Sequence, residues 1–117
     1  DKAGSIKHAA FTLEGQAFAA MDSARGHNLA FNEAISLIVH CDTQEEIDYY
    51  WDKLTAAPEA EQCGWLKDKF GLSWQIVPTM MDVMFWEKDE QKIARVTEAF
   101  LKMKKFHIAK LQEAATA

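Results

Sequence analysis

The strongest constraint on the fold is an alternation that occurs twice. Residues 34–40 set Ile35, Leu37 and Val39 on one side and Ala34 and Ser36 on the other. Residues 72–77 repeat the pattern, with Leu72, Trp74 and Ile76 against Ser73, Gln75 and Val77. Side chains alternate across a strand, so each segment has a heavy apolar face and a lighter, partly polar one. Between them Ile47, Tyr50, Trp51 and Leu54 recur at helical spacing, the stripe of a helix that lies on a sheet. Asp42 or Thr43 can cap that helix, and Glu45 and Glu46 sit where the positive dipole end favours carboxylates. Pro58 ends it. The pattern predicts a sheet with a helix on one face and a cleft or a partner on the other, and it puts Trp51 and Trp74 in the helix-facing core.

The remaining elements are simpler. Residues 6–13 and 16–21 read as two strands joined by Glu14-Gly15, a hairpin signal. Residues 22–32 are polar and read as a loop, and Pro78 closes the strand at 72–77. Residues 63–67 read as a short strand, 68–71 as a turn and 82–86 as a further short turn. Asp89 is placed to cap a helix that runs to about Lys104, with Ile93, Val96, Phe100, Leu101 and Met103 along one side. Ile108 and Leu111 mark a last helical segment.

Composition excludes several classes. With 117 residues, 49% hydrophobic and 26% charged, the chain is expected to be one packed domain. Thirteen basic and eighteen acidic residues give a net charge of −5. The one basic cluster, Lys102, Lys104 and Lys105, shares its pattern with Glu98 and Glu113, a solvated face and not a nucleic-acid surface. No apolar run is long enough for a membrane span, and residues 1–5 lack the apolar stretch of a signal peptide. Cys41 and Cys63 show no C-x-x-C or Cys/His spacing and read as reduced thiols of a cytoplasmic protein. His8, His27, His40 and His107 form no ligand pair. The missing initiator Met suggests that the chain starts within a longer gene product.

One run is specific enough to carry a resemblance: Cys63-Gly64-Trp65-Leu66-Lys67-Asp68-Lys69-Phe70-Gly71-Leu72-Ser73-Trp74-Gln75-Ile76-Val77-Pro78. It resembles the closing strand pair of PhnB-like proteins, a branch of the vicinal-oxygen-chelate (glyoxalase/bleomycin-resistance) superfamily, many of whose members carry the label 3-demethylubiquinone-9 3-methyltransferase. The segments at 31–37, 48–54 and 103–111 resemble the same branch. The resemblance implies an α+β, glyoxalase-like fold of two βαβββ modules whose curved sheets enclose a cleft, usually in a homodimer. On that plan 1–117 is a single glyoxalase-like domain. Residues 1–24 are the last hairpin of the first module, 33–78 the second module and 79–117 a C-terminal helical extension. The N-terminal βαβ part is missing.

The resemblance also permits a test of chemistry. Metal-dependent members hold a divalent ion with His, Gln and Glu, and their closing strand reads Asp-Pro-x-Gly-x-x-x-Glu. Here the stretch is Asp68 to Gln75, so Gln75, a poorer ligand, stands at the carboxylate's place. Ala34 stands where such members often place His. No metal and no cofactor are therefore expected. Methyl transfer from S-adenosylmethionine usually relies on a Gly-rich strand-to-helix turn, and five scattered glycines supply none. What remains is a cleft. Strand parity points Ser36, Ser73 and Gln75 into it, and Cys63 and Trp65 on the short strand complete the candidate lining. The expected function is metal-independent binding of a small molecule, whose identity these residues do not name. The alternatives are a metal-dependent enzyme using ligands from the missing N-terminal strand, the methyltransferase of the family label, and an interaction module whose cleft a partner fills. Unpaired edges of the strands between residues 6 and 21 argue for a dimer that covers them.

Overall fold

The structure is a computed structural model that describes residues 3–23 and 25–117. Asp1 and Lys2 of the N-terminal stretch and Ala24 of the 22–32 loop lie outside the described residues. The chain divides into two units, Asp1–Ala30 and Phe31–Ala117.

The first unit is built on an antiparallel hairpin of β1 (Ala9–Leu13) and β2 (Gln16–Ala20). Its turn residues Glu14 and Gly15 both have positive φ, 49° and 78°, as the type I′ turn that matches strand twist requires. Phe11 stands opposite Phe18, with the rings stacked at 5.6 Å between centroids. Asp22 closes the ribbon. Its N–H donates to the Ile6 carbonyl at 2.8 Å, and its Oδ2 accepts from the Ile6 N–H at 2.7 Å.

The second unit holds a three-stranded sheet of β3 (Ser36–Cys41), β4 (Trp65–Lys67) and β5 (Ser73–Pro78), in the order β3-β5-β4. β3 runs parallel to β5, while β4 is antiparallel to it. A parallel pair needs a crossover, and the helix α1 (Gln44–Leu54) lies within it. Thr43 is the cap, with Oγ1 accepting from the Glu46 N–H at 3.2 Å. The helix stops at Leu54, short of Pro58, because Thr55 turns extended and the next N–H, of Ala56, donates to the Lys67 carbonyl of β4. Pro58 instead opens a 3-10 turn at Pro58–Ala60.

The alternation read from the sequence sorts the two faces. Cys41, Ile47, Trp51, Leu66 and Ile76 form a buried cluster between sheet and α1, with Trp74 packed against it. Burial pushes the Cys41 thiol up to about 11, helped by Glu46 and Asp42, so at neutral pH it is a protonated core residue and not a nucleophile. Asp68 holds the turn before β5. Its Oδ1 accepts from the Phe70 and Leu72 N–H groups at 2.8 and 3.1 Å, and its Oδ2 accepts from the Trp74 indole at 2.9 Å. The turn sets one face of the core as well as the chain reversal.

Three helices follow: α2 (Thr79–Glu87), α3 (Glu90–Phe100) and α4 (Ile108–Thr116). The short turn expected at 82–86 is thus a helix of nine residues. Met81 and Met84 bury against Val96, Phe106 and Leu111 in a second cluster, which stabilises a segment that lacks a side-chain cap. Asp89 caps α3 as expected, accepting from the Lys92 N–H. That helix ends at Phe100 and not near Lys104, and Leu101 is exposed. The carbonyls beyond it are used elsewhere: Met103 accepts from the Cys63 N–H and Lys104 from the Gly64 N–H, both at 2.8 Å. Among the described residues no helix is long and apolar enough to cross a membrane.

The two clusters are tied by polar stitches. Gln44 donates from Nε2 to the Phe106 carbonyl at 3.0 Å and accepts at Oε1 from the Ile108 N–H at 2.8 Å, which caps the start of α4 from α1. Asp48 pairs with Lys105 at 2.9 Å. The hydrogen bond from Lys105, then that from Gln44, holds the Asp48 carboxyl below its usual range. This link is in place at neutral pH and is lost as acidification passes through that lowered value.

Cys63 and Gly64 correct the expected strand at 63–67. Both have positive φ, 51° and 83°, and they form a tight turn in which Gln62 and Trp65 exchange backbone hydrogen bonds of 3.1 and 2.9 Å. A Cβ on Gly64 would stand 2.5 Å from Cε2 of Phe106. Gly64→Ala is therefore expected to combine a left-handed backbone penalty with overpacking, a loss of about 2–5 kcal/mol. Urea unfolding of the two proteins measures it, and a loss within experimental error would mean that the ring yields freely.

Candidate functional site

The face of the sheet turned away from α1 is assembled by register. In one row Ser36, Ser73 and Lys67 are neighbours, in the next Ile38, Gln75 and Trp65, and then His40 beside Val77. Gln75 is the central group. Its Nε2 donates to the Ser36 hydroxyl at 2.9 Å, diagonally across the parallel pair. Ile38 is 51% exposed and Trp65 half-buried, so the amide lies between two apolar side chains that solvent still reaches.

Polar pairs, each with one carboxylate, flank this face at both ends. Lys67 and Glu33 form an ion pair beside the first row. The hydrogen bond from Lys67 holds the Glu33 carboxyl below its ordinary value. At the other end His40 Nδ1 lies 2.8 Å from Asp82 Oδ2, linking β3 to α2. Beside it Asp82, Phe85 and Trp86 line an open hollow of about 410 Å³. Thr79 donates to Asp42 at 2.9 Å and fastens the same end of the sheet to α2.

Of the five residues singled out from sequence, Ser36, Trp65, Ser73 and Gln75 stand together on this face. Cys63 does not join them. It sits in the left-handed turn before β4, with its N–H on Met103 and its thiol 3.7 Å from the Leu101 carbonyl. Sequence reasoning left out His40, Lys67, Glu33 and Asp82. Extending the parity of Ser36 by four residues reaches His40, and that of Trp65 by two reaches Lys67. Their carboxylate partners come from outside the strands and leave no local signal.

The donor set does not fit a divalent ion. Gln75 offers only one neutral amide oxygen, since its Nε2 is a donor bound to Ser36, its row neighbours are Ile38 and Trp65, and the Ala34 side chain offers no ligand atom. Among the described residues there is no group of three or more His, Cys, Asp or Glu that could hold a metal. The arrangement suits hydrogen bonding to a neutral or anionic organic molecule with an apolar body.

Ser73 is the anomaly of the site. It is 1% exposed, and its hydroxyl has no hydrogen-bond partner. A buried unpartnered hydroxyl costs folding free energy, and strained or unsatisfied groups tend to be kept where function needs them. Ser73→Ala is expected to leave stability unchanged or raise it by about 0.5–2 kcal/mol in urea unfolding. A loss of similar size would mean that the hydroxyl is satisfied within the folded protein.

Comparison with known proteins gives the chain its relatives. The model of the family described as 3-demethylubiquinone-9 3-methyltransferase matches residues 1–77, from the first unit through most of β5. A PhnB protein from Bacillus cereus, provisionally named a 3-demethylubiquinone-9 3-methyltransferase, has a solved structure that is 42% identical. It superposes with a TM-score of 0.56 over 66% of this chain and 67% of that one. No match is found among curated proteins. With two small sheets and, among the described residues, four α-helices, and with this kinship, the chain has a glyoxalase-like α+β fold and belongs to the PhnB-like, 3-demethylubiquinone-9 3-methyltransferase family.

Proposed function

We propose that this protein binds a small, largely apolar organic molecule on the open face of the β3-β5-β4 sheet, without a metal, as a homodimer in the cytoplasm. The observation that carries the reading is the Gln75 amide, hydrogen-bonded to Ser36 and set between Ile38 and Trp65. Few polar groups on a mostly apolar floor is the general form of a small-molecule site. The amide has an oxygen to spare for a ligand donor, and Ser36 supplies a hydroxyl in the adjoining row.

The family name denotes methyl transfer, and the residues give that activity little support. The turn from β3 into α1, where a nucleotide-like cofactor would meet a helix N-terminus, is Asp42-Thr43 with no glycine. Thr43 spends its hydroxyl on the cap.

Dimerisation is supported by what the first unit leaves exposed. A two-stranded ribbon is marginal by itself, and Ile6, Phe11, Leu13 and Met21 remain in solvent. The outer edge of β3 has no strand partner among the described residues, and open edges are usually covered. Cys41 and Cys63 are free thiols, in keeping with a reducing cytoplasm.

Benzyl alcohol, a neutral apolar probe, tests the reading by NMR titration. The expected shifts fall on Ser36, Ile38, the Trp65 indole and the Gln75 side-chain amide, and Gln75→Ala weakens them severalfold. Shifts confined to the hollow at Phe85 and Trp86, or no shifts at millimolar probe, would overturn it.

A further inference from the structure

The row beside Gln75 combines three features that no part of the fold requires together. Ser73 is buried at the centre of the sheet with an unpartnered hydroxyl. Its register neighbour on β4 is Lys67, a cation next to the apolar row of Ile38 and Trp65. Lys67 is paired with Glu33, which belongs to no strand or helix and lies in the turn before β3. That turn is set by Asn32, whose Oδ1 accepts from the Ala34 N–H at 2.9 Å.

A pair of this kind is easily exchanged. The Glu33 side chain is mostly exposed, and an exposed ion pair adds little to stability. A carboxylate arriving on an apolar molecule would bring the same charge to Lys67, and it would also bury apolar surface over Ile38 and Trp65, which Glu33 does not. An ionised carboxylate is an acceptor with several lone-pair sites, so one group can satisfy both the ammonium and the orphaned hydroxyl. A neutral ligand brings no charge to replace that of Glu33 at Lys67.

We propose that Lys67 and Ser73 form a latent carboxylate site, held by the chain's own Glu33 until a small apolar acid displaces it. This rests on the binding face described above and specifies the ligand class for it. The acid group lies in the row of Ser36, Ser73 and Lys67, and the apolar body lies over Ile38 and Trp65. Glu33 acts as a tethered competitor, lowering apparent affinity by the fraction of time it holds Lys67.

Benzoate is the probe, with benzyl alcohol as its uncharged counterpart, on the full chain and on Glu33→Gln, Lys67→Met and Ser73→Ala, each checked for an unchanged fold by thermal unfolding. Benzoate is expected to bind Glu33→Gln roughly 3- to 10-fold more tightly than the parent. It is expected to lose most of its affinity in Lys67→Met and to weaken in Ser73→Ala, with benzyl alcohol little altered by any of the three. Saturating benzoate should also return the Glu33 carboxyl, followed by carbon NMR, toward its ordinary titration, a change that a general charge effect of the substitution does not produce. Benzoate affinity that is no higher in Glu33→Gln, or is unchanged in Ser73→Ala or in Lys67→Met, overturns the proposal. Benzyl alcohol shifts without benzoate binding sink the carboxylate site alone. The absence of both sinks the binding face with it.

Discussion

The second unit depends on one strand. β5 is paired on both edges, parallel to β3 and antiparallel to β4. Its residues serve three environments: Trp74 and Ile76 enter the α1 core, Val77 touches the helical cluster, and Ser73 and Gln75 face away from α1. A shift of one residue in its register would exchange the core and site faces. Several local devices hold that register. Asp68 grips the turn before the strand and the Trp74 indole within it. The Ile76 N–H donates to the Gly64 carbonyl at 2.8 Å, and Gly64 is wedged against Phe106. The placement of the Gln75 amide is thus fixed by the same contacts that build the core.

This explains what was legible in the sequence. Parity alone sorted the faces, because a half-buried strand must alternate, and the Ile47 to Leu54 stripe named the covering element. The Asp89 cap, and the first cap to within Asp42 or Thr43, were readable for the same local reason, a short acceptor just before a helical stripe. α2 was not, since Met80, Met81, Val83, Met84, Phe85 and Trp86 are apolar all round and show no stripe. The helix becomes visible only once α3 and α4 cover Met81 and Met84. The early end of α3 also lacked a local signal, because the acceptors Met103 and Lys104 answer donors about forty positions away in sequence.

The site followed the same division. Ser36, Ser73 and Gln75 came from parity and Trp65 from its place on the short strand, whereas Cys63 does not share that face because positive φ at two successive residues sets the strand's start at Trp65. Glu33 and Asp82 are tertiary partners. They place charge at both ends of a face whose middle is an amide and two apolar side chains, and so they bear on which ligand chemistry fits it. Family kinship supplies the fold and a label, while the chemistry has to be read from these side chains.

The central claim is that this face is kept for a ligand and is not an interior surface awaiting a protein partner. A high-resolution crystal structure of the chain grown with benzoate addresses it directly. The account predicts organic density over Ile38 and Trp65, within hydrogen-bond distance of Gln75 or Lys67, in a dimer that leaves the face accessible. Side chains of a second copy packed onto Ile38, Trp65 and Gln75 would contradict it.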